Sequence, residues 1–197
     1  MQILLIVGND SYGFRAGAIA APYGNIITAV DTSSSFRRVF RLICKGSLSP
    51  LLLFKMAWAE LLRPRICFTP QHRIRANDTV LKLVNNKKID KVLLFRAGLI
   101  VNSKVLGAVE VENIHCASLP GFGGIGSIAR ALAAQNYSQT ATHHKVTTAI
   151  DSGEILNTEK YVLDPAASYA TNENIAYEAG LALLEKILET LASKKHE

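Results

Sequence analysis

Cysteine is scarce in this chain, and long apolar runs are missing. The three cysteines, Cys44, Cys67 and Cys116, form no CxxC pair and no His/Cys cluster, which leaves a disulfide framework and a structural zinc site without support. No metal is expected. The opening MQILLIVGND has no basic leader, and its apolar run is too short for a signal peptide or a membrane span. It reads as a buried strand. The stretch SPLLLFKMAWAELL is interrupted by Lys55 and Glu60 and falls short of the roughly 20 residues that cross a bilayer. It reads as a helix with one buried face. A reducing, cytoplasmic setting is the expectation. Disorder is excluded by composition, since 49% of the 197 residues are hydrophobic and 19% charged, proportions that suit one globular domain with a sizeable core.

Acid is nearly absent from one long segment. Arg37 to Arg75 holds nine Lys or Arg against Glu60 alone, within a chain of formal charge +6. Such a field favours anionic ligands, a phosphate or nucleotide among them, although a solvated basic face has the same composition.

What is present is a rhythm of short branched runs and helical stretches. Ile3–Val7, Ile26–Val30, Ile66–Thr69 and Val92–Phe95 have the character of buried parallel strands. Between them the pattern predicts helices at Tyr12–Ala21, Ser35–Cys44, Leu51–Leu62 and Asp78–Asn85, the last capped by Asn77 or Asp78. Strand and helix in alternation mean an α/β sheet with right-handed crossovers. Beyond residue 96 the expected order is a strand at Val109–His115, a helix at Ser127–Ala134, and strands at Thr140–Thr148 and Ile155–Leu163 that pair as a hairpin. A closing helix over Glu173–Ala192 carries Ala176, Gly180, Leu183, Leu184, Ile187 and Leu191 on one stripe.

Three motifs bear chemistry. The first loop, VGNDSYG, stands where a dinucleotide fingerprint would lie but does not match GxGxxG. It is either a simple turn or an anion site built on helix N–H groups. The second is VENIHCASLPGFGGIGS. Asn113 and His115 stand two apart, so a strand sends both to one face, at the carboxyl edge where α/β sheets bind ligands. The glycines that follow lack a P-loop ending and let backbone pass close to a ligand or a neighbouring strand. The third is THHKVTTAIDSGEIL, with His144 seven residues before Asp151. His143 and His144 face opposite ways in a strand, so one alone can look into the same cleft; a polar edge strand reads equally from this spacing.

These residues resemble the formyltetrahydrofolate-dependent formyltransferases. Their signature runs Asn-x-His-Pro-Ser-Leu-Leu-Pro, an aromatic and a basic residue before Gly, then Thr-Gly-x-Thr and Asp-x-Gly-x-Ile. It stands here as NIHCASLP, GFGG, QTATHH and DSGEIL, with Asn113, His115, Pro120, Gly124, Thr140, Asp151, Gly153 and Ile155 on matching positions. Cys116 replaces a proline, Ala141 a glycine and Gly123 the basic residue.

The resemblance implies a Rossmann-like formyltransferase fold, with a mostly parallel central sheet flanked by helices and a C-terminal strand hairpin and helix. It implies one domain over 1–197, with an acceptor-binding half at 1–90, a folate-binding and catalytic half at 91–165, and a closing helix at 171–192. It further implies 10-formyltetrahydrofolate as formyl donor. Asn113 would then stabilise the developing oxyanion, and His115 would share that task or take the amine's proton. Asp151 would orient the imidazole and favour its charged form. The folate would lie against AGLIV through Gly98, Leu99 and Val101, with His144 and Ile150 also lining its site.

For the acceptor, the resemblance leaves a small-molecule primary amine, phosphorylated or nucleotide-linked. An amino sugar on a nucleotide carrier comes first and phosphoribosylglycinamide second. The latter would call for a Gly-x-Gly-Ser-Asn phosphate loop, which GNDSYG matches only in part. Nucleic acid is not expected, a homodimer is left open, and a catalytically degenerate folate-binding module is the reading from another class.

Overall fold

The computed structural model describes residues 1–33, 43, 49–64 and 66–193. Seven strands form one sheet: β1 (Ile3–Val7), β2 (Ile26–Asp31), β3 (His72–Ile74), β4 (Lys91–Phe95), β5 (Glu110–His115), β6 (Ser138–Lys145) and β7 (Ile155–Val162). Their spatial order is β3-β2-β1-β4-β5-β6-β7. The first five run parallel, and β6 and β7 add antiparallel. The described helices are α1 (Ser11–Ala20), α2 (Pro50–Leu62), α3 (Asn77–Lys87), α4 (Ser103–Ala108), α5 (Ser127–Ala133) and α6 (Tyr169–Ser193). None of them is long and apolar enough to cross a membrane.

All five residues of β1 are buried, as a strand covered on both faces requires. Alternation sends Ile3, Leu5 and Val7 to a core shared with Phe95, Leu184 and Leu188, and Leu4 and Ile6 to one shared with Ile74, Val80 and Val105. The chain leaves β1 toward β2 on one side and later returns on the other as β4, so the carboxyl ends of β1 and β4 border the topological switch point.

The α/β class, the mostly parallel sheet, the hairpin and the closing helix are as the sequence predicts. Four details differ. The third strand is His72–Ile74, paired with Ala29–Asp31, rather than Ile66–Thr69. Phe68 of that apolar run is instead pressed against Gly17 of α1, and Pro70 offers no N–H to a ladder. Helix α2 does not bury a face. Ala59 is its one buried residue, while Leu51, Phe54, Trp58, Leu61 and Leu62 are all at least 52% exposed. Its apolar spacing was legible, but spacing cannot say whether anything covers the face. Helix α3 is capped by the backbone of Ala76 rather than by Asn77 or Asp78, because the Asn77 side chain is engaged by Ile100 and Asn102. Helix α4, capped by Asn102, was not expected. The helix expected at Ser35–Cys44 lies almost wholly outside the described residues.

Candidate active site

Strand β5 delivers Asn113 and His115 to one face, and β6 lies antiparallel beside it with His144 directly opposite Asn113. Cross-strand partners on one face stand close enough to bond. Asn113 Nδ2 is 3.1 Å from His144 Nε2. The tautomer follows from the other ring nitrogen, because His144 Nδ1 lies 2.9 Å from the Lys145 carbonyl, which can only accept. Nδ1 therefore carries the hydrogen, and Nε2 accepts from the Asn113 amide. Burial lowers the His144 pKa below its usual 6.5, outweighing the opposing pull of the Lys145 carbonyl and the Asp151 charge. A neutral imidazole thus fixes which way the amide points and leaves its second hydrogen for another acceptor.

His115 Nε2 donates to the carbonyl of Phe122 at 2.8 Å, which turns Nδ1 toward Asp151 Oδ2, 3.7 Å away. Asp151 Oδ1 lies 3.6 Å from His144 Nε2. The carboxylate therefore stands between two imidazoles, beyond hydrogen-bond length from each. The Phe122 carbonyl bonds one side of the His115 ring, Asp151 faces the other, and Asp151 is itself held by the Gly124 N–H at 2.6 Å.

This arrangement explains the glycine loop. A Cβ on Gly123 would come within 3.1 Å of the Asp151 Cβ, and Gly124 has φ +77°, a left-handed conformation that suits glycine. Asp151 is left-handed as well, with φ 49°, a strained backbone that its surroundings hold in place.

A cavity of about 440 Å³ opens over these groups, and all eight residues anticipated from the sequence line it: Gly98, Leu99, Val101, Asn113, His115, His144, Ile150 and Asp151. Leu99 makes its backbone contact inward, since its N–H donates to Asp31 Oδ2 at 2.7 Å. Its contribution to a ligand therefore falls to the side chain and carbonyl. Ile150 is 66% exposed at the rim. His143 faces the other way, bonded to Glu112 Oε2 at 2.8 Å, as strand alternation requires.

Sequence reasoning missed the wall formed by Arg96, Tyr177, Leu53 and Met56. Arg96 follows β4 with φ 56°, grips Asp10 through three contacts of 2.9 to 3.1 Å, and stacks its guanidinium 3.7 Å from the centre of the Tyr177 ring. Burial pushes the Asp10 pKa up, but the charge and hydrogen bonds of Arg96 prevail and hold it low. A charged residue directly after the apolar run Val92–Phe95 was the available signal. Cys116, in the family's proline position, is buried and its thiol is pushed up to about 12 by that burial. It is no nucleophile near neutral pH.

With sheet order and site in view, the fold is that of the formyltransferases, and the resemblance read from NIHCASLP and DSGEIL is borne out at that level. The phosphoribosylglycinamide formyltransferase of Streptococcus pneumoniae superposes with a TM-score of 0.66 at 20% identity, covering 96% of this chain and 98% of its own. That of Anaplasma phagocytophilum gives 0.70 at 15%, with coverages of 98% and 87%. A 4-N formyltransferase from Francisella tularensis gives 0.68 at 13%, with coverages of 98% and 70%. In sequence, the methionyl-tRNA formyltransferase of Rickettsia rickettsii is 26% identical over 117 residues, 58% of this chain and 39% of that protein. The match thus spans well under half the length of that curated relative. No family model matches the chain.

Proposed function

We propose that this protein is a formyltransferase that moves a formyl group from 10-formyltetrahydrofolate to a primary amine, the amine being that of an amino sugar on a nucleotide carrier. The observation that carries the reading is the convergence of Asn113, His115, His144 and Asp151 on one cavity at the carboxyl ends of the central strands.

The cavity suits the donor in kind. An apolar wall of Leu99, Val101 and Ile150 beside a few convergent polar groups is the usual make-up of a small-molecule site. The folate supplies the formyl group. The chain's residues supply what an attacking amine requires: a donor where the formyl oxygen gains negative charge, and a base for the amine's proton. Asn113, aimed by neutral His144, is the donor. His115 Nδ1, the ring nitrogen not used by Phe122, is the base. Asp151 lies where the proton would arrive on His115, and positive charge there is favoured by a carboxylate 3.7 Å away.

In this reading residues 1–90 receive the acceptor, residues 91–165 hold the folate and the catalytic groups, and the protein acts in the cytoplasm. Support for a nucleotide carrier comes from Lys55, Arg73 and Arg75, which are exposed and belong to the segment almost free of acid. Arg37, Arg38, Arg41, Lys45 and Arg65 of that segment lie outside the described residues. The second reading, phosphoribosylglycinamide as acceptor, is favoured by the near full-length overlay on the pneumococcal enzyme.

Incubation with 10-formyltetrahydrofolate and a panel of amines, followed by absorbance of the released tetrahydrofolate, tests the proposal. Turnover with one nucleotide-linked amino sugar is the expected result. Turnover with glycinamide ribonucleotide alone would select the second reading, and tight folate binding without turnover would mark a binding module instead.

A further inference from the structure

The turn after β1 leads into the first N–H groups of α1, a place where strand-to-helix turns ordinarily receive an anion from outside. Here two carboxylates of the chain itself are already seated. Asp10 Oδ1 accepts from the Gly13 N–H at 2.8 Å. Glu60, from the last turn of α2, accepts from the Ser11 N–H through Oε1 at 2.7 Å and from the Ser11 hydroxyl through Oε2 at 3.1 Å.

Both are fixed from behind. Arg96 clamps Asp10. Arg63 Nη1 holds Glu60 Oε2 at 2.9 Å while its Nη2 reaches the buried Glu173 at 2.8 Å and its Nε reaches Asn174 at 2.9 Å. Arg15 is paired with Glu178. Among the described residues around the turn three guanidiniums thus meet four carboxylates, Asp10, Glu60, Glu173 and Glu178, so these groups together have no positive surplus to offer a phosphate.

We propose that Glu60 is a specificity-determining residue: it occupies the amino end of α1 as a built-in anion and excludes a terminal phosphate from it. A phosphomonoester brought there would have to displace Glu60 from Ser11 and lie against two like charges. The adjoining space of about 380 Å³, lined by Phe14, Ala57, Leu61, Ile66 and the Glu60–Arg63 pair, offers a charge-balanced acceptor and donor beside apolar surface. That chemistry receives an uncharged, hydroxyl-bearing ring. The consequence for the acceptor rests on the transferase reading, and it selects an amine on such a ring over one anchored by a phosphomonoester in this turn.

The test begins with inorganic phosphate titrated into the isotope-labelled full chain, followed through the backbone amide signals of Ser11 and Gly13. Expected is no response in the native protein, and binding roughly tenfold tighter or more in Glu60→Gln and Glu60→Ala, where one like charge is gone. Response of those two amides in the native chain, or variants that gain nothing, would overturn the proposal. If Glu60→Ala does not fold, Glu60→Gln, which keeps an acceptor for Ser11, and the native titration still decide. Turnover is then compared between a phosphomonoester amine and a phosphate-free one, with Glu60→Gln expected to raise the ratio of kcat/KM toward the former. The titration needs no turnover, so a protein inactive with every amine but silent to phosphate refutes the transferase reading and leaves Glu60 in its role.

Discussion

An amide side chain can stabilise a developing oxyanion only if its orientation is settled beforehand, and in Asn113 a neutral imidazole settles it. On the proposed transferase reading, Asn113→Ala is expected to lower turnover by about a hundredfold or more, with little change in folate affinity measured by fluorescence titration, because the bond it would remove is one that strengthens only in the transition state. His144 links the same bond to pH. Its folded pKa lies below the ordinary 6.5 because of burial, so the folded state binds its proton less readily than the unfolded chain does. The contribution to stability is therefore complete above about 6.5 and is lost as pH falls below that toward the folded value. Protonation also removes the lone pair that receives Asn113, so turnover should decline in the same window. Thermal midpoints against pH, compared between the native protein and His144→Gln, check this; parallel curves would clear His144 of the effect. At this scale Asn113 and His115 were legible because period two fixes their shared face. The Asn113–His144 bond was not, since it depends on the register between β5 and β6. Nor was Asp10–Arg96, a contact between residues 86 apart.

Among the elements, those defined by burial on both faces were the easiest to read: β1 as observed, and β4 to within one residue. Elements whose character comes from a neighbour were harder. β3 holds one buried residue, Ile74, and its sequence carries almost no strand signal of its own. α6 stands between these cases. Its stripe of Ala176, Gly180, Leu183, Leu184 and Ile187 is apolar at helical spacing and is buried as expected, but the reason for a glycine inside it appears only in the packing. A Cβ at Gly180 would lie 2.6 Å from Cys116 Sγ and 3.2 Å from the Phe95 ring. Gly180 is what lets α6 press directly onto the ends of β4 and β5. Gly180→Ala should therefore destabilise the protein by about 1–3 kcal/mol through overpacking, despite alanine's better helix propensity. Cys116→Ala in the same chain should recover much of the loss, since it removes the atom in the way. Urea midpoints of the two single variants and the double variant give the coupling; strictly additive losses would mean that Cys116 is not what resists the methyl group.

On the scale of the molecule, the two halves named for acceptor and folate are one piece of sheet. β1 takes β2 on one edge and β4 on the other, so the three-stranded sheet of the first ninety residues continues through β1 straight into the strands that follow. Side chains fasten the first of these halves to the closing helix as well, where Tyr12 bonds Glu178 at 2.9 Å and Arg63 reaches Glu173 and Asn174 on α6. The Arg63–Glu173 pair is the telling one, as both side chains are at most 6% exposed. Removing one member of a buried pair leaves the other charged and desolvated, at a cost of about 3–5 kcal/mol. Arg63→Met is expected near the lower end of that range, because Tyr169 and Tyr177 still donate to Glu173. Adding Glu173→Gln to Arg63→Met should return most of the loss, since no buried charge is then unmatched. The chain's one tryptophan, Trp58, reports from α2, while far-ultraviolet circular dichroism reports on the whole. If the sheet makes the halves inseparable, the two signals will trace the same urea transition in the native protein and in both variants. A Trp58 transition that runs ahead of the dichroism in Arg63→Met would instead show α2 letting go first, with Arg63 fastening that helix alone.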